Sequence, residues 1–298
     1  MKSQKANTHL DNAIEHIEHA KRLIGGRPKP HINTKALIGR ANATLFDGKI
    51  SATQTACLLG FALVYAMLTM LGIAVTLQYL AYTLATTYHE TGRTMQPIEE
   101  WGKGEGRPYG EPHPQTGQTY YGRGYVQLTW IENYMKAMET VFNRNWQKGK
   151  VDFVNQPDLA MNPFYAAQIA VSGMMHGWFT GKKLSDYILA DGSYDYVNAR
   201  RIINGTDKAQ TIAAYALEFE TALYLGIGTD IERSTIQVGS KGDDVRELQL
   251  GLNLNPDGVF GNATETALIH FQKQNNVTAD GVCGPSTWQT FDKEIYAL

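Results

Sequence analysis

Cysteine is nearly absent: the 298 residues hold two, Cys57 and Cys283, far apart in the chain. That pair cannot support a disulfide framework, so the fold does not depend on an oxidising compartment. No charge of one sign dominates. Twenty-seven basic and 29 acidic residues leave a net charge of −2, and no basic block interleaves with aromatics. This excludes the usual electrostatic footprint of a nucleic-acid binder. Met1 to Gly25 lacks the apolar core and small-residue cleavage site of a secretory signal. From Ile50 to Tyr88 charge is missing altogether, over 39 residues. About 20 apolar residues span a bilayer. Here, however, Ser51, Thr53, Gln54, Thr55, Thr69, Thr76 and Gln78 interrupt the run and Gly72 divides it. Two core helices packed back to back are expected, without membrane contact.

What the chain does have is helical periodicity. Leu10, Ile14, Ile17 and Leu23 put a helix at 8–25, stopped by Gly25-Gly26 and followed by a linker with Pro28 and Pro30. His16 and His19, beside Glu15 and Glu18, read as a solvated face of that helix. Ser51 is an N-cap candidate for a helix running to about Leu71. The next helix, about Ala74 to Tyr88, has one buried stripe of Leu77, Leu80, Ala81, Leu84 and Tyr88, and delivers His89-Glu90 at its end. Residues 91–122 are rich in glycine and proline and read as a long loop, a length usually reserved for function. Helical patterns return at 130–142, 164–177, 194–203 and 209–225. In the last of these, Ile212, Ala216, Phe219 and Leu223 share a face and Gly226 is the expected stop. Strand signals are few, so the region is mostly α.

Near the C-terminus the chain repeats itself. Asp257-Gly258-Val259-Phe260-Gly261-Asn262-Ala263-Thr264 returns 23 residues later as Asp280-Gly281-Val282-Cys283-Gly284-Pro285-Ser286-Thr287. Each copy reads as a turn feeding a helix, with glycine supplying the positive φ of the turn. Val245, Leu248 and Leu252 form one stripe, Thr264, Leu268 and Phe271 a second, and Trp288 and Phe291 belong to a third. A compact three-helix module over 236–298 follows, joined to the preceding body by a connector from Gly226 to Gly239.

Three pieces carry chemistry. Glu90 closes a buried helix beside Gly92, a position where partial desolvation can keep a carboxyl protonated near neutral pH. Glu99, next to Glu100, lies on the loop, where a wetter carboxylate stays ionised. Two carboxyls in contrasting settings are the minimum set for cleaving a glycosidic bond. The third piece is Tyr120-Tyr121-Gly122-Arg123-Gly124-Tyr125-Val126-Gln127-Leu128-Thr129-Trp130 with Asn133-Tyr134. Its glycines allow close backbone approach, while Tyr121, Gln127, Thr129 and Asn133 offer hydroxyls and amides to sugar and water. Taken singly, Glu90 is an ordinary helix-end carboxylate and Glu99-Glu100 an ordinary acidic pair; the order and spacing of all three give them weight.

In that order the pieces resemble glycoside hydrolase family 19, which includes chitinases and phage or bacterial endolysins. Gln156-Pro157-Asp158-Leu159-Ala160, Gly177-Trp178-Phe179-Thr180-Gly181 and Arg200-Arg201-Ile202-Ile203-Asn204-Gly205 extend the likeness, which covers roughly 35–228. It implies a mostly α, lysozyme-like catalytic domain after an N-terminal helix and linker at 1–34. It also implies an inverting mechanism, with Glu90 as general acid, Glu99 as the second carboxylate and Thr129 holding the water. Tyr121, Gln127, Asn133 and Asn204 match positions near the sugar, and neither metal nor other cofactor is implied. The loop after Glu90 departs from the plant chitinase pattern, leaving Glu100, Glu105 and Glu111 as alternatives for the base. Residues 236–298 similarly resemble the peptidoglycan-binding module type 1, through Gly239-Ser240-Lys241-Gly242-Asp243-Asp244-Val245, Leu248-Gln249 and the turns at Asp257, Gly258, Gly261 and Asp280, Gly281, Gly284. This module holds 4 basic and 8 acidic residues, a formal −4, so its grip on an anionic wall is expected to be mainly non-electrostatic.

The expected protein is therefore a monomeric, endolysin-type glycosidase acting on the β-1,4 bonds of peptidoglycan. It would be made in the host cytoplasm and released to the wall through a separately made pore. A chitinase and a non-catalytic wall-binding virion protein are the alternatives. A zinc peptidase of the His-Glu-x-x-His type needs a second histidine four residues after His89, and Arg93 stands there.

Overall fold

A computed structural model describes residues 32–141, 151–228 and 233–296. The helix expected at 8–25, with His16 and His19, lies outside them. Nine α-helices and one two-strand pairing organise the described residues, and the mostly α reading holds.

The body opens with α1 (Thr34–Thr44), capped by the Asn33 side chain on the Ala36 N–H. Helix α2 (Ala52–Met70) starts on Ser51 in a full capping box with Gln54, so the expected N-cap is present. Helix α3 (Leu77–Glu90) begins three residues later than the periodicity suggests, because the Thr76 hydroxyl caps it through the Tyr79 N–H. It also runs on to include Glu90, so the candidate acid is the last helical residue. After the loop come α4 (Ile131–Thr140), α5 (Pro163–His176) and α6 (Ala209–Gly228).

The uncharged run does not form a back-to-back pair. Helix α3 packs chiefly on α6, whereas α2 packs on α5 and on two helices of the C-terminal module. One stretch of α2, Ala52–Thr69, is long and apolar enough to cross a membrane, but 78% of it is buried inside the protein. It is therefore a core helix. Two further expectations need correction. The helix sought at 194–203 is only a 3₁₀ turn, Asn198–Ile202, preceded by a bridge between Ile188 and Tyr194. Gly226 does not stop α6, which continues to Gly228. Its missing side chain instead lets α6 meet the start of α1: a Cβ there would lie 2.5 Å from Ile32, and the Gly226 carbonyl accepts the Asn33 N–H.

The module comprises α7 (Asp243–Gly251), α8 (Asn262–Gln274) and α9 (Pro285–Tyr296), the three helices expected. Its connector contributes to it, since Ile236 and Cys283 exchange backbone hydrogen bonds. Gly258 and Gly281 have φ of 75° and 73°, as the turns require. The repeat extends further than the turns. The buried Gln249 amide donates to Asp257 Oδ1, the Val259 carbonyl and Thr264 Oγ1, and accepts from the Gly258 N–H. Gln272 repeats each contact with Asp280, Val282, Thr287 and Gly281. The aspartates thus brace their own turns. Gln249 and Gln272 stand 23 residues apart, the same offset as the turns, and that spacing could have flagged them.

The module is docked on the body. Besides the apolar contact with α2, Lys35 Nζ donates to Asp244, the Thr34 hydroxyl to Glu247, and Asn253 contacts Asn162 and Tyr165.

Candidate active site

A cleft of about 330 Å³ opens beside the end of α3, lined by Glu90, Gln127, Thr129, Asn133, Trp178 and Ile203 among others. Four residues singled out from the sequence therefore share one cavity. Each owes its place to local structure. Glu90 is the last residue of α3, which is buried along nearly its whole length. Gln127 and Trp130 are both in positive-φ conformations, 55° and 72°, in the turn that leads into α4. The Thr129 hydroxyl donates to the Gln127 carbonyl at 2.7 Å, and Asn133 Nδ2 donates to the Thr129 carbonyl at 2.9 Å. These bonds hold the turn and leave the lone pairs of Thr129 Oγ1 available to a water.

Glu90 is partly desolvated at the cleft, and it has a cationic partner there. Its carboxyl is 29% exposed and Oε1 accepts from Arg200 Nη1 at 2.5 Å. Arg200 is buried and fixed by a second bond from Nε to the Asp207 carbonyl. In the sequence Arg200 stands out only as part of a motif. A buried arginine needs an acid partner, but a separation of 110 positions conceals which one.

Glu99 sits on β1 (Ile98–Glu99), paired antiparallel with β2 (Arg123–Gly124). Its Oε1 accepts from the Tyr121 hydroxyl at 2.7 Å and its Oε2 from Lys103 Nζ at 2.9 Å. The Tyr121 bond, then that of Lys103, hold its carboxyl below the ordinary value, so it stays ionised. Gln127 connects this strand to the cleft by donating Nε2 to the Ile98 carbonyl at 3.1 Å.

Tyr121 thus serves Glu99, and Gln127 and Asn133 serve backbone. Asn204 is exposed, its side chain turned onto the Gly205 N–H, while its neighbour Ile203 lines the cleft. Among the alternative bases, Glu100 has both oxygens committed, to the Tyr109 hydroxyl and the Gly122 N–H. Glu105 and Glu111 are exposed and, like Glu99, do not line the cleft; Glu99 differs from them in its bond to Tyr121 and in being tied to the cleft through the Ile98–Gln127 bond. Arg123, the centre of the Gly-Arg-Gly motif, is a buried hub. It stacks 3.6 Å from the Tyr121 ring and donates to Asp158, Tyr134 and the Thr119 carbonyl.

These features define a mostly α body with a carboxylate-bearing cleft and a helical module fixed to it. Comparison with known proteins adds the following. Residues 241–291 match the family described as putative peptidoglycan binding domain, so the chain carries a peptidoglycan-binding module at its C-terminal end. A curated relative, the zinc D-Ala-D-Ala carboxypeptidase of Streptomyces albus G, is 40% identical over 72 residues. That match covers 22% of this chain and spans 27% of the relative's length. Solved structures similar to the chain include a bacterial family 19 chitinase, at 20% identity and TM-score 0.32, covering 72% of this chain and 97% of that one. Another is a mutant of chitinase C, at 19% identity and TM-score 0.32, covering 72% and 93%. Of these matches, the family match over 241–291 makes peptidoglycan the partner of the C-terminal module.

Proposed function

We propose that the chain is an endolysin-type glycosidase that hydrolyses β-1,4 bonds of peptidoglycan with inversion. Glu90 protonates the leaving glycosidic oxygen. Glu99 takes a proton from a water that donates its other hydrogen to Thr129 Oγ1, and that water attacks the anomeric carbon from the opposite face. Inversion of this kind works with carboxyls about 6.5–9.5 Å apart. The peptidoglycan-binding module keeps the cleft on its polymer, raising the local concentration of cleavable bonds.

The observation that carries the reading is the contrast between the two carboxyls. Glu90 opens into the cleft with Thr129 and Asn133 and accepts from Arg200, while Glu99, on the neighbouring strand outside the cleft lining, is held ionised by Tyr121 and Lys103. An acid and a base with separate surroundings are what a two-carboxylate hydrolysis requires. The test is digestion of purified peptidoglycan by the parent and by Glu90→Gln, with mass spectrometry of the released muropeptides. New reducing ends from the parent, and none from a variant that still binds sacculi, support the assignment. Normal digestion by Glu90→Gln overturns it. Release of products from chitin oligomers but not from peptidoglycan would make the enzyme a chitinase.

A further inference from the structure

One residue, next in the chain to Glu100 and joined through Tyr109 and Trp130 to the cleft, has no role in anything described so far. Trp101 is 100% exposed, although tryptophan offers more apolar area to bury than any other side chain. Its backbone is firmly held. The preceding residue, Glu100, donates its N–H to the Gly122 carbonyl at 2.7 Å and binds Tyr109 and Gly122 through its carboxylate. Lys103 donates its N–H to the Glu100 carbonyl and its ammonium to Glu99. The loop then closes on itself so tightly that a Cβ on Gly110 would lie 2.0 Å from the Gly104 carbonyl. The same rim leads to the cleft, because Tyr109 packs edge-on against Trp130, ring centres 5.0 Å apart, and Trp130 is 46% exposed and lines the cavity.

A solvent-exposed indole on a braced loop contributes no packing to the fold. Its surroundings select its ligand. Gly102, Lys103, Glu105 and Gly106 are all exposed around it, so there is no contiguous apolar patch of the kind a protein partner or a membrane surface would need. A pyranose ring fits such a setting. It presents an apolar face of axial C–H groups to an indole and a rim of equatorial hydroxyls to nearby charged groups, and it requires only one aromatic residue per sugar. We infer that Trp101 is a stacking platform for a sugar ring of a β-1,4-linked N-acetylhexosamine strand, extending the cleft past Glu99 along the rim formed by Tyr109 and Trp130. This rests on the glycosidase reading for the identity of the strand. It adds a specificity-determining contact outside the reacting centre.

The test separates the two claims by measuring binding without turnover. Full-length Glu90→Gln protein is titrated calorimetrically with an N-acetylglucosamine tetramer and with soluble uncrosslinked peptidoglycan strands. The same titrations follow for W101A and W101F in that background. Loss of one aromatic contact of hot-spot quality predicts binding about tenfold weaker in W101A, with most of the affinity restored in W101F. The unfolding temperature should not move, since the indole touches nothing. Equal affinities for W101A and its parent on both ligands overturn the inference, as does absence of binding by the parent to either. Unchanged turnover by Glu90→Gln would instead overturn the acid assignment, and the titrations would still decide the role of Trp101.

Discussion

Arg200, 2% exposed, donates Nη1 to Glu90 Oε1 at 2.5 Å, joining the end of α3 to the 3₁₀ turn at Asn198–Ile202. Glu90 therefore carries two duties, since it accepts from a buried guanidinium and faces the cleft. Glu90→Ala removes the partner of a buried charge. The pair is part-exposed, so the cost should fall between surface and fully buried pairs, about 2 kcal/mol. Glu90→Gln keeps an oxygen acceptor and should cost less than half of that. Both should lower turnover on peptidoglycan roughly 10²- to 10⁴-fold. Chemical denaturation set beside turnover separates the duties. Stability of both variants equal to that of the parent would mean that the ion pair contributes nothing to the fold.

The Glu99 carboxyl is held below its ordinary value first by the Tyr121 hydroxyl and then by Lys103. As a base it must be ionised, so activity should persist as pH falls through the ordinary carboxylate range and fail only below it. Any stability from these bonds has the same sign: it is present above the unfolded-state value and lost as pH falls through the folded one. Tyr121→Phe deletes the larger cause, and the acid limb of the rate profile should move to higher pH. Lys103→Met removes a second hydrogen bond and a nearby positive charge, and should move it in the same direction. An acid limb that stays in place in Tyr121→Phe would remove Glu99 from the base role.

Helix positions were legible in the sequence because α6 and the module helices carry apolar stripes, and because Ser51 caps α2 locally. Glu90, Gln127, Thr129 and Asn133 were legible as a group because they sit within short motifs. What stayed hidden depends on distance along the chain. The Arg200 partnership spans the body, and the second role of α2, as the surface on which the module docks, requires knowing which uncharged helix meets which. The 194–203 error has a local origin. Tyr194 and Tyr196, two residues apart, pack into an aromatic group with Tyr82 rather than along a helical stripe.

In the module, Gln249 and Gln272 are 2% and 0% exposed and hold equivalent turns by equivalent bonds. Replacing either by alanine leaves a buried glycine N–H and a threonine hydroxyl without their amide partner. Each change should destabilise the protein by roughly 2–3 kcal/mol. The two variants should resemble each other, because the networks match bond for bond. Denaturant titration with an unchanged m-value checks this. A variant that folds as well as the parent would mean that water replaces the amide without loss.

The docked arrangement predicts how the whole chain unfolds. Glu247 is 3% exposed on α7, pairs with Arg233 and accepts from Thr34 at the start of α1, so one carboxylate binds both parts. Helix α2 loses part of its cover if the module leaves. Heating the full chain should therefore give a single calorimetric transition with matching calorimetric and van't Hoff enthalpies. Glu247→Ala removes a carboxylate partner of the buried Arg233 and the acceptor of Thr34, which should cost about 3–5 kcal/mol. It should split the transition, with dye binding to newly exposed apolar surface in the interval between the two steps. Two transitions in the parent chain would show that the seam carries little energy, and that module and body act as independent units joined only through the chain.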